Sequence, residues 1–146
     1  MSDEVEIGRG KRGRRAYTLD DIALVPSRRT RDPEDVNVGW QIDAYHVDIP
    51  LMAAPMDSVM SPETAIAFGR LGGIGVLDLD GLWTRYEDPT PILDHIAHLG
   101  EEESIATLQR VYSEPIKPAL ITERLKQLRE AGVVVAGKLS PQRVQQ

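Results

Sequence analysis

Pro55, Met56 and Asp57 follow directly on the short apolar run Leu51 to Ala54, and Asp78 and Asp80 follow on a second one, Gly73 to Leu77. Both groups therefore fall just past the carboxyl end of a strand, the rim where parallel α/β proteins hold their ligands. Two carboxylates spaced like Asp78 and Asp80 could bind a metal or relay a proton, or do no more than satisfy nearby backbone donors. Ala53 and Ala54 are small enough for close packing inside a sheet or for a ligand to approach the backbone.

The elements that position these residues are written in the intervening sequence. Pro55 breaks the ladder and Met56 lies in the turn. Ser61 is a good N-cap, Pro62 suits the first helical position, and Glu63 favours the positive end of the helix dipole. Ala65, Phe68 and Leu71 form an inner stripe, and Gly72 fits a left-handed C-terminal position. Gly73 to Leu77 is apolar nearly throughout, as a strand covered on both faces should be. Gly72, Gly73 and Gly75 lie after a helix and before a strand, the wrong polarity for a phosphate cradle.

Ahead of this unit, Thr18 and Asp21 have the spacing of a capping box and predict a helical turn, followed by the apolar Ile22 to Val25, which Pro26 ends. Arg28 to Val38 reads as loop. Trp40, Ile42 and Ala44, then Val47, Ile49 and Leu51, alternate with polar residues and predict a hairpin turning at Tyr45-His46. Beyond Asp80, helical stretches are marked by Ile92, Leu93 and Ile96, by Ile105, Leu108 and Val111, and by Ile121, Leu125 and Leu128, closed by Gly132. Val133 to Ala136 is a third strand. His95 and His98 share a helical face with Asp94 but are read as solvated rather than as metal ligands.

Composition limits the function. A chain of 146 residues, 41% hydrophobic, can bury one core of ordinary size. No apolar run approaches a membrane span, and the acidic start Met-Ser-Asp-Glu is unlike a leader, so a soluble, cytoplasmic protein is expected. Zero cysteines exclude disulfides, thiolate metal sites and a cysteine nucleophile within these residues. Residues 1–31 hold eight Lys/Arg against five Asp/Glu, and the remaining residues nine against eighteen. The basic excess, Arg9 to Arg15, is read as a flexible tail lying on an acidic neighbour or in solvent. Nucleic acid is not expected, because no aromatic platform accompanies it. Gly8, Gly10 and Gly13 satisfy G-x-G-x-x-G, but neither a buried strand before nor a helix after gives the pattern a cofactor role.

The expected architecture is α/β: residues 1–16 a basic flexible tail, 17–49 a cap with a hairpin, and 50–146 the first βα units of a parallel sheet. A closed (β/α)8 TIM barrel needs about 250 residues. Three strands fit either the amino-terminal part of such a barrel or a small open sheet.

Two motifs favour the barrel. Tyr17-Thr18-Leu19-Asp20-Asp21-Ile22-Ala23-Leu24-Val25-Pro26 resembles the amino-terminal signature of the IMP dehydrogenase / GMP reductase family, and Ala54-Pro55-Met56-Asp57 with Gly72-Gly73-Ile74-Gly75 resembles its first barrel unit. The direct run from Trp83 to His98 into a helix, Glu6-Ile7-Gly8, and Val25 to Thr30 resemble the branch without CBS domains. The resemblance implies an oxidoreductase that converts IMP to XMP with NAD in guanine nucleotide biosynthesis through a cysteine thiolate, or the related GMP reductase. A non-catalytic nucleotide-binding or assembly paralogue is the third reading. It also implies a homo-oligomer, tetrameric in the family, and the intact family can hold a monovalent cation. In it Met56 lies against the purine, Ala54 borders the nucleotide, and Asp57 fixes the turn. The family often has Ser at the place of Ala54, and many members carry His-x-Asn where this chain has Asp78-Leu79-Asp80, which puts cofactor contacts by Asp78 and Asp80 in doubt. Without cysteine, these residues alone are expected to be an inactive amino-terminal fragment.

Overall fold

The computed structural model describes residues 4–23, 25 and 32–143. Leu24, and Pro26 to Thr30 of the run that carried part of the resemblance, lie outside them. The chain divides into two compact units, Met1–Val36 and Asn37–Gln146.

In the first unit, β1 (Glu4–Gly8) pairs antiparallel with β2 (Lys11–Arg14), where the sequence suggested a tail. Glu4 stands opposite Arg14 and Glu6 opposite Arg12, so two of the arginines face cross-strand carboxylates. Gly10 takes a φ of +68° in the connection. The glycines of the G-x-G-x-x-G pattern thus serve a hairpin and not a cofactor loop. Short 3-10 turns follow at Leu19–Asp21 and Pro33–Asp35. The Asp21 carboxylate accepts the Thr18 backbone N–H at 3.0 Å and its hydroxyl at 2.9 Å. Those two bonds, the backbone one foremost, hold its pKa below the usual carboxylate value.

The second unit opens with a hairpin of β3 (Trp40–Ile42) and β4 (Tyr45–Val47). Its turn is Asp43-Ala44, two residues earlier than the alternation suggested, because Ile42 pairs with Tyr45. Asp43 accepts a left-handed φ of +48°, which a short polar side chain tolerates, and its carbonyl takes the Gln41 side-chain amide at 2.8 Å.

The main sheet is three-stranded and wholly parallel, in the order β5 (Met52–Ala53), β6 (Ile74–Asp78), β7 (Ala136–Lys138). Helix α1 (Pro62–Arg70) connects the first two strands, and its ends form as the sequence dictates. Ser61 Oγ accepts the Thr64 N–H at 3.0 Å, Pro62 stands in the first turn, and Gly72 leaves the helix at a φ of +94°. The helix buries Pro62 and Ala65 almost completely, whereas Leu71 is 72% exposed. Leu71 is already the C-cap, so the expected stripe ends at Phe68. Gly75 lets this helix sit down on the sheet: a Cβ there would lie 2.5 Å from the Ala65 Cα.

Three helices, α2 (Thr90–Ala97), α3 (Glu101–Val111) and α4 (Pro118–Glu130), lead to the last strand. Met60, Ala65, Leu77, Leu79 and Leu128 form the core, with Ile121, Leu125, Val133 and Val135 packed against it. Val133 and Val135 do this from the connection after α4, and the ladder itself is Val76–Ala136, Leu77–Gly137 and Asp78–Lys138. The third strand therefore starts later than its apolar residues suggested. Gly137 belongs there because a Cβ would meet Leu79 Cδ1 at 2.6 Å. The buried stripe of α4 is Leu120, Arg124 and Leu128, with an arginine in its centre.

Candidate functional site

Parallel strands place their carboxyl ends on one rim, which gathers Met56 and Asp57 after β5, Asp78 and Asp80 at β6, and Lys138 at β7. The turn after β5 is tightly wound: the Met56 carbonyl accepts the N–H groups of Val59 at 3.0 Å and Met60 at 2.8 Å, and the Ala54 carbonyl accepts that of Met56 at 2.9 Å. With its backbone so held, the Met56 side chain stands 51% exposed, and Ala54 is exposed beside it.

Asp57 fastens this turn to two remote segments. Its Oδ2 accepts the Leu82 backbone N–H at 2.8 Å and the Tyr112 hydroxyl at 2.5 Å. Its Oδ1 is buried without a protein partner against Gly81, where a Cβ would fall on it. Gly81 is thus the close approach that allows the carboxylate in. The Arg85 guanidinium lies over the Tyr112 ring, 5.5 Å from its centre.

Asp78 and Asp80 are brought together, but by cations of the chain itself. Lys138 Nζ lies 3.2 Å from Asp78 Oδ1 and 3.6 Å from Asp80 Oδ2. Arg143 Nε lies 3.3 Å from Asp80 Oδ1, and Asp80 Oδ2 accepts the Ser140 N–H at 2.8 Å. The Asp78 side-chain hydrogen bond raises the Lys138 pKa, against partial desolvation. Among the described residues no group of three or more His, Cys, Asp or Glu could hold a metal ion. His98 Nδ1 is spent on the Asp94 carbonyl at 2.7 Å.

A cleft of about 440 Å³ opens over the rim, bounded by Met56, Asp57 and Asp78 on the sheet side and by Leu93, Leu108 and Tyr112 from α2 and the end of α3. Sequence reading did not find Tyr112, whose one visible signal is its place directly after the Ile105, Leu108, Val111 stripe. Burial, followed by the hydrogen bond to Asp57 and that group's charge, raises the Tyr112 pKa well above the ordinary phenol value. The fold holds the neutral phenol. Its contribution is complete below about pH 10 and is lost as pH rises through the raised value. A phenolate absorbance titration should show a late-ionising component, and Tyr112→Phe should remove it; a titration unchanged by the substitution would contradict the bond to Asp57.

Residues 16–84 match the profile of the IMP dehydrogenase / GMP reductase domain. An uncharacterized oxidoreductase of Mycolicibacterium smegmatis is 43% identical over 97% of the chain, and one of Mycobacterium leprae likewise 43% over 97%. The crystal structure of an IMP dehydrogenase/GMP reductase-like protein from Corynebacterium glutamicum superposes with a TM-score of 0.82, at 42% identity over 99% of the chain. Residues 16–84 carry the match to the IMP dehydrogenase / GMP reductase domain, and the chain is similar to that family.

It spans 39% of the length of each of those two oxidoreductases and 40% of the solved chain. An inosine-5'-monophosphate dehydrogenase of Methanocaldococcus jannaschii is 42% identical over 64 residues, 44% of the chain. The matched family segment contains Met56, Asp57, Asp78 and Asp80. The cleft that Met56, Asp57 and Asp78 line does not fit NAD, the dinucleotide that the family implies. Among the described residues no Lys, Arg or His lines the cleft to receive a diphosphate, and two carboxylates do. Its apolar walls suit a ring.

No helix among the described residues is long and apolar enough to cross a membrane.

Proposed function

We propose that these residues are the opening βα units of a (β/α)8 barrel in an IMP dehydrogenase-type oxidoreductase of the branch without CBS domains. The reaction is the NAD-dependent oxidation of IMP to XMP, carried out in the cytoplasm by a homo-oligomer. The observation that carries this reading is the exposed Met56 thioether on the carboxyl rim of a parallel sheet, beside an open cleft. A polarisable, unbranched side chain makes a favourable surface for a flat ring.

Each rim residue has a role. Met56 bears the purine and Ala54 borders it, without the hydroxyl bond a serine would supply. Asp57 holds the turn through Leu82 and Tyr112 and touches the base only at the edge of the cleft. Asp78 and Asp80 lock β6 to β7 through Lys138. The thiolate that attacks the purine and the donors for phosphate and NAD are assigned to residues other than these, since the chain has no cysteine and no Lys, Arg or His is among the described residues that line the cleft.

Methyl-labelled methionine gives a direct test. On titration with millimolar IMP the Met56 methyl resonance should move while that of buried Met60 stays in place, both read by carbon-proton correlation spectra. Silence at Met56, or equal movement at Met60, would defeat the assignment.

A further inference from the structure

We propose that α2 and the end of α3 form the specificity-determining wall of the Met56 cleft, with Tyr112 contacting the bound ring, and that the cleft takes an uncharged planar ring bearing N–H donors. This rests on the purine reading above.

Two observations from different sources carry it. The family profile ends at Thr84, and the Methanocaldococcus jannaschii enzyme aligns over only 64 residues, whereas the mycobacterial oxidoreductases align over 97% of the chain. The cleft straddles that boundary. Its floor, Met56, Asp57 and Asp78, comes from the family-matched segment, and its wall, Leu93, Ile96, Leu108 and Tyr112, comes from beyond it. A ligand in the cleft therefore meets a shared floor and a wall found in the longer matches, and discrimination between ligands arises where contacting side chains differ.

The chemistry of the lining selects the ligand. Carboxylate and hydroxyl oxygens accept hydrogen bonds, the remaining surface is apolar, and the nearest cations among the described residues are already engaged, Lys138 by Asp78 and Asp80 and Arg85 by the Asp80 carbonyl. A nucleobase fits those terms and its phosphate does not.

The wall is fixed at few points. α2 buries no residue fully and α3 buries only Val111. Polar ties hold its end: Tyr112 to Asp57 at 2.5 Å and the Tyr86 hydroxyl to the Val111 carbonyl at 3.1 Å.

The test uses the same methyl-labelled 146-residue chain, with inosine and IMP as probes and Met60 as the reporter of folding. Inosine and IMP should bind within about threefold of one another. Tyr112→Ala should weaken both about tenfold, the order expected for loss of one base–aromatic contact. Tyr112→Phe, which keeps the ring, should stay within about threefold of the native chain. Ile96→Trp, which adds bulk at a lining position outside the hydrogen bonds of Asp57, should abolish the Met56 response.

Native affinity in Tyr112→Ala or Ile96→Trp would overturn the proposal while leaving the purine reading intact. A Tyr112→Phe loss as large as that of alanine would reduce Tyr112 to a structural tie. IMP binding far tighter than inosine would overturn the uncharged-ligand claim. If Met56 responds to neither probe in the native chain, the purine reading itself falls, and the wall with it. Should Tyr112→Ala disturb Met60, Ile96→Trp and Tyr112→Phe decide the matter between them.

Discussion

Gly75→Val is expected to remove about 4 kcal/mol or more of stability, enough to unfold most of the second unit at room temperature. The reason is a backbone neighbour. A Cβ on residue 75 would sit 2.5 Å from the Ala65 Cα and 2.9 Å from the Ala65 carbonyl oxygen, and no rotamer change relieves a clash with main chain. Helix α1 would have to lift from β6, opening the core around Leu77 and Met60 and carrying the Met56 turn with it. Gly75→Ala should cost about 2–3 kcal/mol by the same mechanism. Gly100→Ala is the control, since a Cβ there meets nothing, and it should change stability by about 0.5 kcal/mol at most. Urea denaturation followed by circular dichroism measures all three. A Gly75→Ala protein as stable as the native one would refute the close packing.

Arg124→Met should destabilise by about 3 kcal/mol although methionine keeps most of the stem. Arg124 is 6% exposed, and its guanidinium donates to the Trp83 carbonyl at 3.2 Å and the Glu87 carbonyl at 2.5 Å while lying over the Trp83 ring. Removing the fork leaves two carbonyls without their donors in a part-buried setting, the costly half of hydrogen-bond deletion. Lysine cannot reproduce a planar fork, so Arg124→Lys should recover only about 1 kcal/mol of the loss. Trp83 fluorescence during denaturation reports the change directly. Stability within about 0.5 kcal/mol of native for Arg124→Met would show that the loop after β6 is held by other contacts.

Arg124 also shows where the sequence stops being legible. The apolar pattern of α4 selects Ile121, Leu125 and Leu128, which do pack on the core, but the most buried line runs through Leu120, Arg124 and Leu128. A long cation counts as solvent-facing in any hydrophobic pattern, and only the carbonyls of a distant loop reveal why it is inside. α1 was readable because its signals are local: Ser61, Pro62 and Gly72 each act within a turn of themselves. The parallel pairing of β5 and β6 followed from the same local run.

The misplacements have the opposite character. The turn of the β3–β4 hairpin moved because Asp43 can adopt a left-handed backbone, which alternation does not register. β7 moved because its pairing residues include Gly137, chosen for the room that Leu79 needs, whereas the valines before it looked more like a strand. In the candidate site, Met56, Asp57 and Asp78 were visible as residues past strand ends. Tyr112 was not, since its bond to Asp57 crosses 55 positions, and Asp78 gave no sign that Lys138 would occupy it.

The meeting of Asp57, Gly81 and Tyr112 has a consequence for how such sequences can drift. The three depend on one another: a larger residue at 81 evicts the carboxylate, a neutral residue at 57 takes away the phenol's charged acceptor, and loss of the phenol leaves the carboxylate a single backbone donor. Lineages that inherit this arrangement should therefore keep or exchange the three together, and a protein carrying a side chain at 81 should be found to have abandoned the acid at 57.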